Sequence, residues 1–128
     1  MRQIADCHLY GILDLGYVEE SELKSVLSKM LEGGVDVVQL RAKNVPVEKI
    51  EGYTAELLPI CRNAGIPLII NDYPEIAATF AVDGVHVGQD DQPIEEVREI
   101  VGSEMLVGKS THSLDQARAA SQEPGIDY

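Results

Sequence analysis

The sequence is poor in cysteine and contains no long apolar run, and each shortage argues against a class of protein. The two cysteines, Cys7 and Cys61, form no CxxC pair, and the three histidines are scattered, which argues against a zinc site. Both thiols are expected to be reduced and buried. No apolar run approaches the roughly 18 residues that a membrane span needs, and the N-terminus lacks the apolar stretch of a signal peptide. We therefore expect a cytoplasmic protein.

Basic residues are also scarce, since ten Lys and Arg face 22 Asp and Glu, which gives a formal net charge of -12. This balance argues against nucleic acid and against anionic membrane surfaces as partners, because both attract basic patches. A phosphorylated small molecule remains compatible if a few cations and a metal ion gather locally. The hydrophobic fraction of 45% and the charged fraction of 25% are typical of an ordinary globular domain.

A strand–helix pattern recurs along all 128 residues. Short runs rich in Val, Ile and Leu, without clean alternation, predict parallel strands that are covered on both faces. Amphipathic segments between them predict helices. There is no linker or shift in composition, so we expect a single domain, 1–128. The predicted strands are 8–13, 35–40, 67–70, 84–87 and 105–107, with 126–128 opening a sixth.

Several local signals mark the helices. Pro46 and Pro93 are predicted in the first turns of two helices, and Pro59 is predicted to kink the second helix. Ser113 and Gln116 have the spacing of a capping box. Two architectures agree with this pattern: a five-stranded doubly wound sheet and a (βα)8 barrel. A barrel usually needs about 250 residues, so length alone favours the doubly wound sheet.

Polar residues concentrate just after the predicted strands. In a parallel α/β protein these carboxyl ends share one face, where ligands bind. Among them, Arg41 and Lys43 are two residues apart, so on a strand they would point the same way and could neutralise phosphate oxygens. A solvated loop with two cations is the alternative. The segments are 39–44, 71–72, 86–91 and 108–112.

Asp72 and Asp91 each follow a predicted strand, and sequential strands usually lie side by side. Two carboxylates that meet there would repel unless a cation lay between them, and Mg²⁺ commonly takes one or two carboxylates together with water and substrate phosphates. The alternative is that Asp72 caps the helix near Pro74 and Asp91 caps the helix near Pro93. The sequence leaves both interpretations open.

Other polar residues of these segments have less specific roles. The amides of Asn71 and Gln39 suit the edge of a heterocycle, and Ser110 could donate a hydrogen bond to a phosphate or a ring. His86 is expected to pack or to hydrogen-bond inside the sheet rather than act as a base. Lys109, as a lone lysine in a loop, is expected to point to water.

Four segments in order resemble the thiamine phosphate synthase family. They are Val38-Gln39-Leu40-Arg41-Ala42-Lys43-Asn44, Leu68-Ile69-Ile70-Asn71-Asp72, Asp83-Gly84-Val85-His86-Val87-Gly88-Gln89-Asp90-Asp91 and Gly108-Lys109-Ser110-Thr111-His112-Ser113. Gly125-Ile126-Asp127-Tyr128 is similar to the family's Gly-x-Asp-Tyr entry to the next strand. The resemblance covers the whole chain and implies a (βα)8 TIM barrel, here truncated to about five βα units plus the start of a sixth strand, against the argument from length.

The resemblance implies a transferase that joins hydroxymethylpyrimidine diphosphate to thiazole phosphate in thiamine biosynthesis. It implies that Asp72 and Asp91 hold Mg²⁺ and that no residue acts as a nucleophile. A first-strand residue, Tyr10, is a weaker assignment. The residues that it implies for substrate binding are Gln39, Leu40, Arg41, Ala42, Lys43, Asn71 and Ser110.

The chain departs from the family pattern in two respects. The family's Thr-x-Thr-Lys stretch and its glycine-rich thiazole-phosphate loops would lie beyond Tyr128, and Lys109 replaces a small or apolar residue. The unpaired strand edges of such a chain predict a homo-oligomer. The remaining alternatives are a thiazole tautomerase-like protein and a receiver-like domain that would use Asp14, Asp72 and Lys109 on a doubly wound sheet.

Overall fold

The computed structural model describes residues 3–128, which form five strands, five α-helices and two short 3₁₀ turns. All five predicted strands are present, and four of them extend further toward their carboxyl ends than the apolar runs indicated. No helix in the described part of the chain is long and apolar enough to cross a membrane. The elements are β1 (Tyr10–Asp14), α1 (Leu23–Glu32), β2 (Val37–Arg41), α2 (Val47–Ala64), β3 (Leu68–Asn71), α3 (Pro74–Phe80), β4 (Gly84–Val87), α4 (Ile94–Val101), β5 (Leu106–Lys109) and α5 (Leu114–Gln122).

The strands pair in the order β1-β2-β3-β4-β5, which is the order of the sequence. β1 runs parallel to β2 with Asp14 opposite Arg41, and β4 runs parallel to β5 with His86 opposite Gly108. A doubly wound sheet reverses its strand order and places β1 inside, as in the order 2-1-3-4-5. The observed order is that of a barrel wall. The fold is therefore of the TIM-barrel type, although the five described strands do not close the barrel. The doubly wound sheet that the chain length favoured was wrong.

The chain divides into two compact units, a first one up to Ile69 and a second one, Ile70–Tyr128. In the first unit α1 packs on β1 and on α2. Its core contains fully buried residues from each element, because the runs are apolar on both faces. In the second unit α3 packs on β4 and on α4. The fully buried residues include Leu13, Leu27, Val37, Leu57 and Leu68 in the first unit and Ile70, Ala77, Val85, Val97 and Val107 in the second.

Three predictions about helix starts need correction. Pro46 and Pro93 are the N-cap residues of α2 and α4, one position before the first turn, where their fixed φ of -56° also fits. Ser113 caps α5 as predicted, since its side chain accepts the Gln116 amide. The Gln116 side chain, however, accepts the amide of His112 at 2.7 Å. In a regular capping box the Gln116 side chain would accept the amide of Ser113. This hydrogen bond is therefore displaced by one residue, to His112.

The predictions about Pro59, the two cysteines and a sixth strand have different outcomes. The helix α2 is continuous through Pro59 and ends at Gly65, whose φ of +71° favours glycine. Cys61 is buried, whereas Cys7 is only partly buried, and neither forms a disulfide within the described residues. The predicted sixth strand at 126–128 is not a regular strand, because the Asp127 amide reaches the Val107 carbonyl while the Lys109 amide reaches the Tyr128 carbonyl, one residue out of register.

Candidate active site

Gln39 of the first unit lies on β2 and is 4% exposed. Its side-chain amide donates to the hydroxyl of Tyr10 on β1 at 2.9 Å. A buried amide needs such a partner, so Tyr10 fixes the orientation of the amide that the sequence assigned to substrate binding. Tyr10, which was assigned to the site less firmly than the other residues, therefore contacts the Gln39 amide directly.

Arg41 ends β2 and forms an ion pair with Asp14 at the end of β1, with 3.3 Å between Nε and Oδ2. The other carboxylate oxygen of Asp14 accepts the Gly16 amide at 2.8 Å, which holds the acid in place. A guanidinium has five N–H donors, so the pair at Nε leaves others for a phosphate. From the sequence, Asp14 was considered only for the receiver-like alternative, and its register opposite Arg41 is what brings it to the candidate site.

The segment after Arg41 differs from the prediction. β2 ends at Arg41, and Lys43 lies in a turn with Asn44, whose φ is +58°. The argument that Arg41 and Lys43 point the same way as strand neighbours was therefore wrong. Leu40 and Ala42 are 1% and 5% exposed. Their side chains belong to the core, so a substrate could meet only their main chain.

In the second unit, Asn71 ends β3 and is buried, and Asp72 follows it with a φ of +71°. The Asp72 amide donates to the His86 carbonyl of β4 at 2.9 Å. A left-handed backbone costs a non-glycine residue roughly 1 kcal/mol, and Asp tolerates it better than most. Such conformations persist where the surroundings impose them, frequently at functional sites. The N-cap of α3 is Tyr73 rather than Asp72.

Asp91 closes the turn after β4, because its Oδ2 accepts the Gly88 amide at 2.6 Å. The N-cap of α4 is Pro93, two residues later. The interpretation of Asp91 as a helix cap was therefore wrong. Its carboxylate instead stabilises the loop that carries Gln89 and Asp90.

The two acids share an electrostatic environment around His86. Burial lowers the pKa of His86, while the charges of Asp72 and Asp91 act in the opposite direction and raise it. Both carboxylates therefore lie within electrostatic range of one imidazole. No cluster of three or more His, Cys, Asp and Glu residues that could hold a metal occurs within residues 3–128. Two carboxylates nevertheless fit the chemistry of Mg²⁺, which completes its shell with water and phosphate oxygens.

Ser110 follows β5 and is held on both its main chain and its side chain. Its amide donates to the Val87 carbonyl, and its carbonyl accepts Gln89 Nε2 at 2.8 Å. Its hydroxyl lies 2.7 Å from His86 Nε2. The prediction that His86 forms a hydrogen bond is confirmed, although its partner Ser110 lies just after β5 rather than in the sheet.

Lys109 precedes Ser110 and is 17% exposed in its side chain. It forms an ion pair with Glu123, with 2.9 Å between Nζ and Oε2. The expectation that Lys109 points to water was wrong, because the end of α5 brings a carboxylate to it. Lys109 therefore contributes to the packing of the second unit.

Comparison with known proteins agrees with this geometry. The family model described as thiamine monophosphate synthase matches residues 9–128. The chain belongs to this family. The thiamine-phosphate synthase of Roseiflexus sp. (strain RS-1) is 44% identical over 120 residues, which cover 94% of this chain and 50% of the relative. That of Natronomonas pharaonis is 45% identical over 103 residues, which cover 80% of this chain and 48% of the relative.

A solved structure shows the same fold. The thiamine phosphate pyrophosphorylase from Pyrococcus furiosus matches with a TM-score of 0.84 and 31% identity, over 95% of this chain and 58% of that chain. The chain thus spans about half the length of the relatives that it matches. Both the family and the TIM-barrel fold class expected from the four motifs are confirmed.

Proposed function

We propose that the chain is the pyrimidine-diphosphate-binding part of a transferase, one that joins hydroxymethylpyrimidine diphosphate to thiazole phosphate to give thiamine phosphate and diphosphate. The family and the printed names of the relatives support this reaction class. The observation that carries the proposal is the pair Asp72 and Asp91. The main-chain amide of Asp72 donates to the His86 carbonyl, the carboxylate of Asp91 accepts the Gly88 amide, and the charges of both acids raise the pKa of His86.

The proposed roles follow from the contacts in each unit. In the first unit the Gln39 amide would recognise the pyrimidine edge, and Arg41 and Lys43 would neutralise the diphosphate, with the main chain of Leu40 and Ala42 beside them. In the second unit Asn71 and Ser110 would hydrogen-bond the substrate. Asp72 and Asp91 would hold Mg²⁺, which supplies positive charge to the diphosphate when bound.

The proposed chemistry needs no nucleophilic side chain. The reaction breaks the bond between the pyrimidine methylene carbon and the diphosphate oxygen and forms a bond from that carbon to the thiazole nitrogen. Negative charge grows on the departing diphosphate, so the guanidinium of Arg41 stabilises the transition state by being placed before the reaction begins. The ion pair with Asp14 keeps this guanidinium at the strand end.

Calorimetric titration of the chain with hydroxymethylpyrimidine diphosphate, with and without Mg²⁺, tests the proposal. We expect binding that requires Mg²⁺ and that falls sharply in Asp72→Asn. Lys24→Ala is the matched control, because Lys24 pairs with Glu56 on an exposed surface. Equal binding with and without the metal, or none in either condition, would contradict the proposal.

Three expectations remain part of this proposal. A homo-oligomer is predicted from the strand edges, and sedimentation at micromolar concentration tests it. A cytoplasmic location and a single domain for 1–128 remain predictions from the sequence. The thiazole tautomerase-like alternative has less support, because the relatives described above are synthases and the chain keeps the Asn-Asp and Gly-Gln-x-Asp motifs. The sheet order disfavours the receiver-like alternative.

A further inference from the structure

His86 joins two hydroxyl groups through its two ring nitrogens. Nε2 lies 2.7 Å from the Ser110 hydroxyl, and Nδ1 lies 3.4 Å from the Tyr128 hydroxyl. A neutral imidazole has one donor and one acceptor nitrogen, so a hydrogen bond at one nitrogen fixes which role the other takes. We refer to His86, Ser110, Tyr128 and Gly108 as the His86 network.

Gly108 supplies the space for this network. It pairs with His86 in the register of β4 and β5. A Cβ atom at position 108 would lie 2.6 Å from His86 Nδ1 and would also collide with the Tyr128 ring. Because glycine has no Cβ, the two rings approach with their centroids 5.6 Å apart. The close approach of His86 and Tyr128 therefore depends on this one glycine.

Tyr128 is held in the network by its neighbour in sequence. The Asp127 carboxylate accepts from Arg98 Nη2 at 2.8 Å and from the Val107 amide at 2.9 Å. The Tyr128 carbonyl accepts the Lys109 amide at 3.0 Å. The Asp127 side chain is thus tied to α4 and β5, and the Tyr128 main chain is tied to β5.

Ser110 has its main chain fixed by Val87 and Gln89, so the rotation of its hydroxyl is the remaining freedom near the ligand. We propose that His86 is a positioning residue for Ser110: it fixes the direction of the Ser110 hydroxyl toward the pyrimidine, and Tyr128 holds the ring that does so. This inference rests on the proposed function. Because the Ser110 hydroxyl is ordered before the ligand binds, binding does not carry the entropic cost of ordering it.

If His86 positions Ser110, changes at His86 should weaken only the contacts to the pyrimidine end of the ligand. With Mg²⁺ present, His86→Leu should weaken the binding of hydroxymethylpyrimidine diphosphate about tenfold, as expected for one lost hydrogen bond. His86→Gln should retain affinity within about twofold, because its amide nitrogen can reach the position of Nε2. The binding of inorganic pyrophosphate, which lacks the pyrimidine, should stay within about twofold in both variants.

A double-mutant cycle separates positioning from a general loss of structure. Ser110→Ala should weaken the pyrimidine ligand as much as His86→Leu does, and the two changes together should cost no more than either alone. Additive losses, or an equal loss of pyrophosphate binding in His86→Leu, would overturn the positioning role.

A measurement without ligand tests the His86 network independently of the proposed function. If the unaltered chain fails to bind the pyrimidine diphosphate with Mg²⁺, the proposed function fails. Nitrogen NMR of the His86 ring still reports on the network. We expect one predominant neutral tautomer in the unaltered chain and a mixture in the Ser110→Ala, Tyr128→Phe double variant. A tautomer mixture in the unaltered chain would overturn the inference.

Discussion

The strand ends of the two units hold their polar groups in different ways. In the first unit the contacts join side chain to side chain across β1 and β2, as in Tyr10 with Gln39 and Asp14 with Arg41. In the second unit backbone groups do much of the holding, as in the Asp72 amide on the His86 carbonyl and the Gly88 amide on Asp91.

The difference has a practical consequence for substitutions. In the first unit, a change to one side chain releases its partner, and at the Asp14–Arg41 pair it alters position and charge together. In the second unit, the Asp91 carboxylate can be neutralised while an acceptor oxygen remains for the Gly88 amide. Variants of the second unit therefore separate the charge of a site residue from its position.

The largest expected effect concerns stability in the second unit. Arg98 donates to three carbonyls, of Gly102, Met105 and Gly125, and to the Asp127 carboxylate, and its side chain is 18% exposed. Arg98→Ala should lower the free energy of unfolding by about 3 kcal/mol, because four acceptors lose one charged donor whose own side chain is largely buried. Urea denaturation measures this loss.

The matched control lies in the first unit. Lys49 and Glu20 form an ion pair with side chains 54% and 56% exposed. Lys49→Ala should change the unfolding free energy by about 0.5 kcal/mol or less, as is usual for exposed pairs. Equal losses in the two variants would mean that the C-terminal contacts of Arg98 are not stabilising.

The next effect separates charge from position. Asp91→Asn should weaken Mg²⁺-dependent binding of the pyrimidine diphosphate roughly 100-fold, since a bound metal ion is worth several kcal/mol of charge stabilisation. The melting temperature should barely change, because the asparagine oxygen can still accept the Gly88 amide. Calorimetry and thermal denaturation on the same sample measure both. A parallel loss of stability and binding would favour a purely structural role for Asp91.

A smaller effect is expected at the ion pair of the first unit. Arg41→Lys should reduce affinity for the diphosphate about tenfold, because an ammonium cannot contact Asp14 and a phosphate in the same fork geometry. Titration with inorganic pyrophosphate and Mg²⁺ measures it. If Arg41→Lys binds as the unaltered chain does, a point charge suffices and the Asp14 contact has no role in orientation.

The smallest effect concerns Tyr10. Tyr10→Phe removes the hydroxyl that accepts from Gln39, so affinity for the pyrimidine diphosphate should fall about fivefold, in line with roughly 1 kcal/mol for a neutral hydrogen bond. Pyrophosphate affinity should remain the same, because the amide is assigned to the ring. A matching loss with both ligands would assign Tyr10 to the diphosphate instead.

The sequence allowed the element order and the strand-end location of the polar residues to be predicted, because apolar runs covered on both faces indicate parallel strands. It could not show that Asp14 lies opposite Arg41, since this depends on strand register. The network of His86 with Ser110 and Tyr128 joins residues 24 and 42 positions apart. Lys43 was misplaced because β2 ends at Arg41 and the chain turns at Asn44, whose φ is +58°. Asparagine tolerates this left-handed backbone, but its presence alone does not show where the strand ends.

Amide NMR of the chain tests most directly the proposed binding of a pyrimidine diphosphate with Mg²⁺ by strand-end residues. On addition of both ligands, we expect the shifted amides to concentrate in segments 39–44, 71–72, 88–91 and 110–111. Unchanged amides in those segments, or shifts concentrated instead around the cavity of about 320 Å³ that Lys109, Ala117 and Tyr128 help to line, would contradict it.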